Sequence, residues 1–248
     1  MKKSFLFSLI ILATLAACSA SKNTTNTDVV SVEKNAEPAS AASNQADKTN
    51  LEELYWQRIQ ESKMNFTEAD VKFMTGMIGN HAQALIMSRL APENNASPEV
   101  QTLAARIINA QEDEIKIMQE WLRDRNQPVP EVHIDGLNLM IHGGGHEGHM
   151  DMESGMMDHS SMVGMLSPEQ LIELSEAEGE EFDRLFLQYM IQHHSGAVFM
   201  VDEIIATDGA AQDEAAFKIA SEINVDQTTE IERMRILLLK LTGDVSDM

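Results

Sequence analysis

The chain has little cysteine and few basic or aromatic residues, which narrows the functions open to it. Cys18 is the only cysteine among 248 residues, so the chain can form no internal disulfide and no cluster of thiolate ligands. Lys and Arg number 18 against 40 Asp and Glu, a net charge of −22, which argues against nucleic acid as a partner because phosphate binding needs basic patches. Aromatic residues are 5% of the chain, but hydrophobic residues at 43% suffice for a core.

Several catalytic motifs are also missing from the sequence. Neither Cys-x-x-Cys nor His-Glu-x-x-His occurs, which excludes thiol redox and zinc-protease chemistry of the usual kinds. No core helix carries Glu-x-x-His, which counts against a di-iron oxidase of the ferritin type. We find no Gly-rich phosphate loop after a strand and no strong strand pattern at all, so the sequence predicts an all-α protein.

The N-terminus predicts export and lipid attachment. Lys2 and Lys3 precede an apolar stretch at 5–15, which is too short for a comfortable membrane span. The next residues, Leu-Ala-Ala-Cys at 15–18, resemble the lipobox of bacterial lipoproteins. We therefore expect residues 1–17 to be a signal peptide and Cys18 to be lipidated, anchoring the protein in the bacterial cell envelope with the domain facing the periplasm or the cell exterior. The alternative is an ordinary secretory signal with an incidental cysteine.

The remaining chain divides by composition and periodicity. Residues 18–50 are rich in Ser, Asn, Thr and Ala without apolar periodicity, which predicts a disordered tether. Apolar residues at helical spacing then predict a short helix over 51–63 and four longer helices. Thr67 with Asp70 and Ser97 with Pro98 predict the starts of the first two long helices, and Ser167 with Pro168 opens a further helical segment. We assign 51–125 to a first helical hairpin, 126–166 to a His/Met-rich flexible linker and 167–248 to a second helical hairpin.

The two hairpins are an internal repeat. DVKFMTGMIGNHAQALIM at 70–87 aligns with DRLFLQYMIQHHSGAVFM at 183–200, which pairs Asp70 with Asp183 and His81 with His194. The second helices agree at Gln, Glu, Ile and Met, namely Gln111, Glu114, Ile115 and Met118 with Gln227, Glu230, Ile231 and Met234. His193 has only Asn80 as its counterpart. Two duplicated hairpins with apolar stripes predict a four-helix bundle.

The repeated helices carry candidate metal ligands. Met77 lies one turn before His81, and Met190 lies one turn before His194 and beside His193. Thioether and imidazole donors favour Cu(I), Cu(II) or Ag(I) over hard cations. Glu114 and Glu230 are candidate ligands or partners that fix a histidine tautomer. The alternative is that these residues only fill the core, which we favour for Met87 and Met200 and leave open for Met77 and Met190.

The linker is a second candidate metal-binding region. Its centre at 141–165 is rich in Gly and Ser and holds six methionines, more than a flexible segment needs for packing. Such tracts bind metal by wrapping around it, with little geometric specificity. We expect ligands among His142, His146, His149, Met150, Met152, Met156, Met157 and His159. The alternative is a polar loop without a role.

The repeat resembles the DUF305 family. The family core reads roughly Asp-x-x-Phe-x-x-x-Met-Ile-x-His-His-x-x-Ala-x-x-Met, which matches Asp183, Phe186, Met190, Ile191, His193, His194, Ala197 and Met200. The first repeat departs from this pattern at Asn80. The resemblance covers about 66–125 and 165–242 and implies an exported, ferritin-like helical bundle, linked in several members to copper binding and copper resistance.

We therefore expect a lipid-anchored envelope protein that binds copper as a buffer or chaperone and is not an enzyme. Its partners would be the metal ion and, through Cys18, the membrane. Two alternatives stay open, a metal-independent structural or interaction module and a metal-dependent redox enzyme such as a cuprous oxidase. The latter needs an open coordination position and turnover in O₂, neither of which the sequence indicates.

Overall fold

The protein is predominantly helical, as predicted. The computed structural model describes residues 39–143 and 162–243, and those from Lys48 onward belong to one compact unit. Its elements in chain order are α1 Ala39–Lys63, α2 Glu68–Arg89, α3 Pro98–Asp124, β1 Glu131–Asp135, β2 Asn138–His142, α4 Pro168–Glu176, α5 Gly179–Ala206 and α6 Glu214–Thr242. Helices α2 and α3 form one hairpin and α5 and α6 the other, and α2 packs on α5 while α3 packs on α6. The predicted four-helix bundle of two hairpins is confirmed.

The helix starts follow from their capping residues. The Thr67 hydroxyl accepts the Asp70 backbone N–H at 3.4 Å, and the Asp70 carboxylate accepts the Thr67 N–H at 2.7 Å, which makes the predicted capping box of α2. Ser97 caps α3 with Pro98 in its first turn, as its sequence predicts. These caps satisfy amide groups that have no partner within their own helix.

Two aspartates at equivalent positions of the repeat connect the hairpins. Asp70 of α2 accepts the N–H of Ala211, in the loop before α6, at 2.7 Å. Asp183 of α5 accepts the N–H of Ser97, the cap of α3, at 3.1 Å. Each hairpin therefore holds the loop of the other through a buried carboxylate. Hydrogen bonds to a charged group contribute about 1.5–3 kcal/mol, so these contacts help to fix how the hairpins pack.

The core consists of two apolar clusters with a polar layer between them. One cluster contains Met87 and Phe186, and the other contains Met74 and Val201. Since α2 and α5 each pass from one cluster into the other, the buried polar residues near their midpoints lie between the two clusters. That layer holds the histidines singled out by the sequence.

Two parts of the chain differ from the sequence-based expectations. Helix α1 begins at Ala39, earlier than the predicted start near Leu51, so part of the expected tether is helical. Strands β1 and β2 form an antiparallel hairpin inside the predicted flexible linker, which makes the expectation of no strand wrong. Its turn begins with Asp135-Gly136, where Gly136 has φ +56°, and Asp-Gly is a hairpin signal that is local to the turn and independent of strand periodicity.

Residues outside the bundle carry several exposed apolar side chains. Leu51, Tyr55 and Trp56 of α1 are all more than half exposed. No helix in the described part of the chain is long and apolar enough to cross a bilayer.

Candidate metal centre

Helices α2 and α5 bring three histidines into the polar layer, and each helix carries a buried methionine one turn earlier, in a neighbouring apolar cluster. His81, His193 and His194 are fully buried, as are Met77 and Met190 one helical turn earlier. Adjacent residues of a helix point about 100° apart, so His193 and His194 leave α5 in different directions, and their ring centroids are 6.1 Å apart. Both are buried because α5 is covered on more than one side.

Each repeat forms the same glutamate–histidine pair. Nε2 of His81 lies 2.6 Å from Oε2 of Glu114 on α3, and Nε2 of His194 lies 2.8 Å from Oε2 of Glu230 on α6. An ionised carboxylate only accepts hydrogen bonds, so the hydrogen lies on Nε2. In the neutral imidazole this leaves the lone pair on Nδ1. The expected tautomer-fixing partners are therefore in place, the arrangement in which proteins orient histidine ligands.

Several polar atoms of this layer lack hydrogen-bond partners. Nδ1 of His81, Nδ1 of His194, both ring nitrogens of His193 and Oδ1 of Asn80 have no hydrogen-bond partner among the described residues. A buried polar group without a partner costs about 1–3 kcal/mol. Several unsatisfied donor and acceptor atoms therefore lie in this layer, and a coordinated ion would satisfy nitrogen lone pairs that the protein leaves unused.

The surroundings of His193 favour the neutral imidazole. Burial lowers the pKa of His193 well below its ordinary value, and the nearby His194 and His81 lower it further, against an opposing effect of the Asn80 backbone. Desolvation disfavours the charged form of a buried base. Because only the neutral ring can ligate a metal, this environment keeps His193 in a ligating form at neutral pH.

The end of the Met-rich linker closes over this layer. Gln83 of α2 donates to the Leu166 carbonyl at 3.1 Å and accepts the Leu166 N–H at 2.8 Å. The Asn80 amide lies 3.9 Å from Sδ of Met165, and this buried methionine adds a thioether beside the polar layer. The sequence showed Met165 as one of the linker methionines but could not place it, because its position depends on contacts made across about 85 residues.

A close backbone approach holds the segment 162–166 on α5. A Cβ built on Gly196 would lie 2.1 Å from the Val163 carbonyl oxygen, and one built on Gly164 would lie 2.6 Å from the Gly196 Cα. Only glycine fits at both positions, and Gly164 also has φ +85°. The segment is therefore fitted to α5 next to the histidines.

The sequence-predicted ligands fall into three groups. His81, His193 and His194 lie in the polar layer, whereas Met77 and Met190 belong to the two apolar clusters that border it, one to each. His142 is the last residue of β2 in the β-hairpin, and its side chain is exposed. The other predicted ligands and the lipidation site lie outside the described residues, namely His146, His149, Met150, Met152, Met156, Met157, His159 and Cys18.

Carboxylate, thiolate and imidazole groups alone do not form a metal-binding centre in the described part of the chain. Within residues 39–143 and 162–243, no three His, Cys, Asp or Glu side chains form a group that could hold a metal ion. A centre in the polar layer therefore needs thioether donors beside the imidazoles. Such a donor set suits soft ions, which accept sulfur, and not hard ones, which require oxygen.

The fold and this layer define a duplicated helical-hairpin protein with a buried histidine pair held by glutamates. A family model, the domain of unknown function DUF305, matches residues 70–238, more than half of the chain. The chain belongs to the DUF305 family, which confirms the resemblance. No curated protein matches the sequence.

Solved structures agree with this assignment. A DUF305 fragment from Deinococcus radiodurans is 27% identical, with a TM-score of 0.55 over 71% of this chain and 98% of that one. A DUF305 protein from Streptomyces coelicolor has 24% identity, the same TM-score of 0.55, and coverage of 70% and 93%. CopM in a Cu(I)-bound form is 26% identical, and the match covers 70% of this chain and 98% of that one. Its TM-score is 0.49, so the similarity supports no conclusion about copper in this chain.

Proposed function

We propose that the protein binds Cu(I), and by the same chemistry Ag(I), through His81, His193 and His194 with Met77 and Met190. The observation that carries this proposal is the repeated Glu–His pair, which leaves Nδ1 of one buried histidine in each repeat without a hydrogen-bond partner, in a layer bordered by buried thioethers. Imidazole and thioether together are soft to borderline donors. Cu(II), for which the imidazoles are the better donors, is the weaker expectation.

The physiological role that fits this site is copper buffering or delivery in the cell envelope. The linker residues named above would capture the ion, and the layer in the bundle would hold it. Cys18 would anchor the protein to the membrane by its lipid. A buffer needs no open coordination position and no turnover, which agrees with an ion enclosed by the helices.

Anaerobic titration of the purified full-length chain with Cu(I), against a chromophoric chelator, tests the binding. We expect the triple variant His81→Ala, His193→Ala, His194→Ala to lose the tight site. His133→Ala is the matched control, because His133 is exposed on β1, away from the layer. Binding weaker than about 1 mM in the parent chain, near −4 kcal/mol, would refute the proposal.

The lipid anchor is tested separately. Intact mass spectrometry of the protein from membranes should show a lipid-modified N-terminus at Cys18, and Cys18→Ala should release the protein from the membrane fraction. An unmodified, soluble parent protein would contradict the anchor without affecting the copper proposal.

The second candidate function is a metal-independent structural module. It is favoured by the same Glu–His contacts, because the pairs already satisfy Nε2 of two buried histidines. The triple histidine variant separates the two functions. If its apoprotein is much less stable while Cu(I) affinity is unchanged, the histidines are core residues.

A further inference from the structure

Met165 differs from the other buried methionines that the structure describes. Those six all belong to one of the two apolar clusters, namely Met74, Met77, Met87, Met118, Met190 and Met234. Met165 is 8% exposed and belongs to neither cluster. Its Sδ lies 3.9 Å from the side-chain nitrogen of Asn80, which is itself fully buried. Packing among apolar neighbours is the usual role of a buried methionine, and it does not account for a sulfur that faces a buried amide.

The contact with Asn80 places this sulfur beside the histidine layer. Asn80 directly precedes His81 in α2. Burial is the main cause that lowers the pKa of His193, and the Asn80 backbone lies close enough to that imidazole to oppose the effect. The contact between the Asn80 amide and the sulfur is weak, because a thioether accepts hydrogen bonds poorly. A thioether sulfur carries two lone pairs, so one of them is still available to a soft metal ion.

Two fixed points hold Met165 in this position. The residue before it, Gly164, approaches α5 so closely that a Cβ built on it would lie 2.6 Å from the Cα of Gly196. The residue after it, Leu166, makes hydrogen bonds to the Gln83 amide through both its N–H and its carbonyl. The side chain between these two points is therefore preorganised. A preorganised ligand binds at lower cost, because less of the chain has to be ordered on binding.

The two fixed points coincide with an asymmetry of the repeat. Gln83 lies one helical turn after Asn80, and Gly196 lies one turn after His193, so each pair shares a helix face. The two pairs occupy equivalent positions of the repeat and differ at both. Met165 therefore meets the bundle where α2 offers an amide and α5 offers a histidine. Neither ring nitrogen of that histidine has a hydrogen-bond partner among the described residues.

We propose that Met165 is a ligand of the soft-metal centre and the residue that makes this centre selective for Cu(I) and Ag(I). The inference deepens the proposed function and rests on it. Imidazole nitrogens also accept Cu(II) and Zn²⁺, whereas thioether sulfur favours soft ions. A sulfur beside the layer that holds His81, His193 and His194 therefore shifts the preference of the centre toward soft ions. Because Met165 belongs to segment 162–166, the bound ion also stabilises the docking of that segment on the bundle.

Methyl NMR of the full-length chain, labelled with ¹³C at its methionine methyl groups, tests the inference during titration with Ag(I). Met165→Leu, which nearly preserves volume, identifies the Met165 signal by its absence. We expect this signal to shift as Ag(I) is added. The Met87 signal, identified in the same way with Met87→Leu, should stay in place. Met87 is the matched control, because it is buried in α2 within an apolar cluster.

Metal selectivity is the second measurement. Anaerobic chelator competition should show that Met165→Leu binds Cu(I) at least about tenfold more weakly than the parent chain, since even the loss of a residue that only supports a ligand costs this much. Affinity for Cu(II) should change by less than about twofold, because Cu(II) relies on the imidazoles. Met87→Leu should leave both affinities unchanged. A merely structural role of Met165 would lower both affinities together.

A shifted Met165 signal together with a selective loss of Cu(I) affinity supports the inference. An unmoved Met165 signal overturns it and leaves the proposed function intact if the triple histidine variant loses Ag(I) binding. Equal losses of Cu(I) and Cu(II) affinity in Met165→Leu also overturn it. Failure of the parent chain to bind Cu(I) refutes the proposed function, and the inference with it. Circular dichroism of each variant verifies folding, and Met165→Ile replaces Met165→Leu if that variant misfolds.

Discussion

Helices α2 and α5 are two copies of one design, and they differ where the linker meets the bundle. Both carry a buried aspartate that holds the other hairpin, a buried methionine and a histidine paired with glutamate. Among the positions at which they differ are Asn80 against His193 and Gln83 against Gly196. All four positions lie in or beside the region covered by the segment 162–166.

The residues common to both repeats and the residues that differ between them therefore have different structural roles. The shared residues build the bundle and the two Glu–His pairs, which need only the pseudo-two-fold packing of the hairpins. The differing residues accommodate the segment 162–166, which is present once in the chain and therefore cannot contact both helices in the same way. Helix α2 provides the Gln83 amide that binds it, and α5 provides the space at Gly196. The difference between Asn80 of α2 and His193 of α5 belongs to this second group of residues.

The largest effect is expected at Gly196. Gly196→Ala places a methyl group against the Val163 and Gly164 backbone, which cannot move as a flexible side chain can, so we expect a loss of about 3 kcal/mol of unfolding free energy. Gly76→Ala is the matched change in α2, where the new Cβ meets only the ends of Met200 and Met162. Urea denaturation measures both. Equal stability of the two variants would show that segment 162–166 does not pack on α5 this way.

The two aspartate contacts should differ in strength. Asp70 accepts hydrogen bonds from the N–H and hydroxyl of Thr67 and from Ala211, whereas Asp183 accepts one N–H, that of Ser97. We expect Asp70→Ala to cost about 3 kcal/mol and Asp183→Ala about 2 kcal/mol, since each bond to a charged group contributes about 1.5–3 kcal/mol without full additivity. Chemical denaturation with both variants in one buffer gives the order. The reverse order would mean that the hairpins are not held mainly by these contacts.

Neutralising the glutamates tests whether both repeats serve one metal centre. Glu114→Gln and Glu230→Gln keep the side-chain size and remove the charge that orients each imidazole, so Cu(I) affinity should fall about 10- to 100-fold in each. Anaerobic chelator competition measures it, with Glu232→Gln, which removes one exposed charge from α6, as the control. A loss in Glu230→Gln alone would place the centre in the α5 half, where His193 and His194 lie.

The smallest effect concerns the pH dependence of the apoprotein. Because the pKa of His193 is lowered on folding, the unfolded chain binds this proton first, and stability falls as pH drops below about 6.5, the unfolded value. The slope should approach at most about 1.4 kcal/mol per pH unit. His193→Asn, which makes α5 resemble α2 at this position, should flatten it, and His133→Asn should not. Denaturation in the presence of a chelator between pH 4.5 and 8 measures this, and parallel slopes in parent and His193→Asn would exclude a depressed pKa.

Much of this architecture was readable from local signals. Thr67 with Asp70, Ser97 with Pro98, and Ser167 with Pro168 marked the helix starts because a cap is made by neighbours in sequence. The repeat predicted two equivalent histidines because a duplicated core keeps its register. The β-hairpin was missed because each strand has five residues, too few for a clear period.

The sequence by itself determined the helices, the duplication, the family and the chemistry of the donors, since these depend on residue identity and on spacing along the chain. Only the tertiary structure decided which atoms of those donors remain available. The contact of His81 with Glu114 spans 33 residues and that of His194 with Glu230 spans 36, and the packing of helices sets both. The docking of Met165 beside Asn80 and the close approach of Gly164 to Gly196 are products of the same packing, because both arise where elements distant in sequence meet.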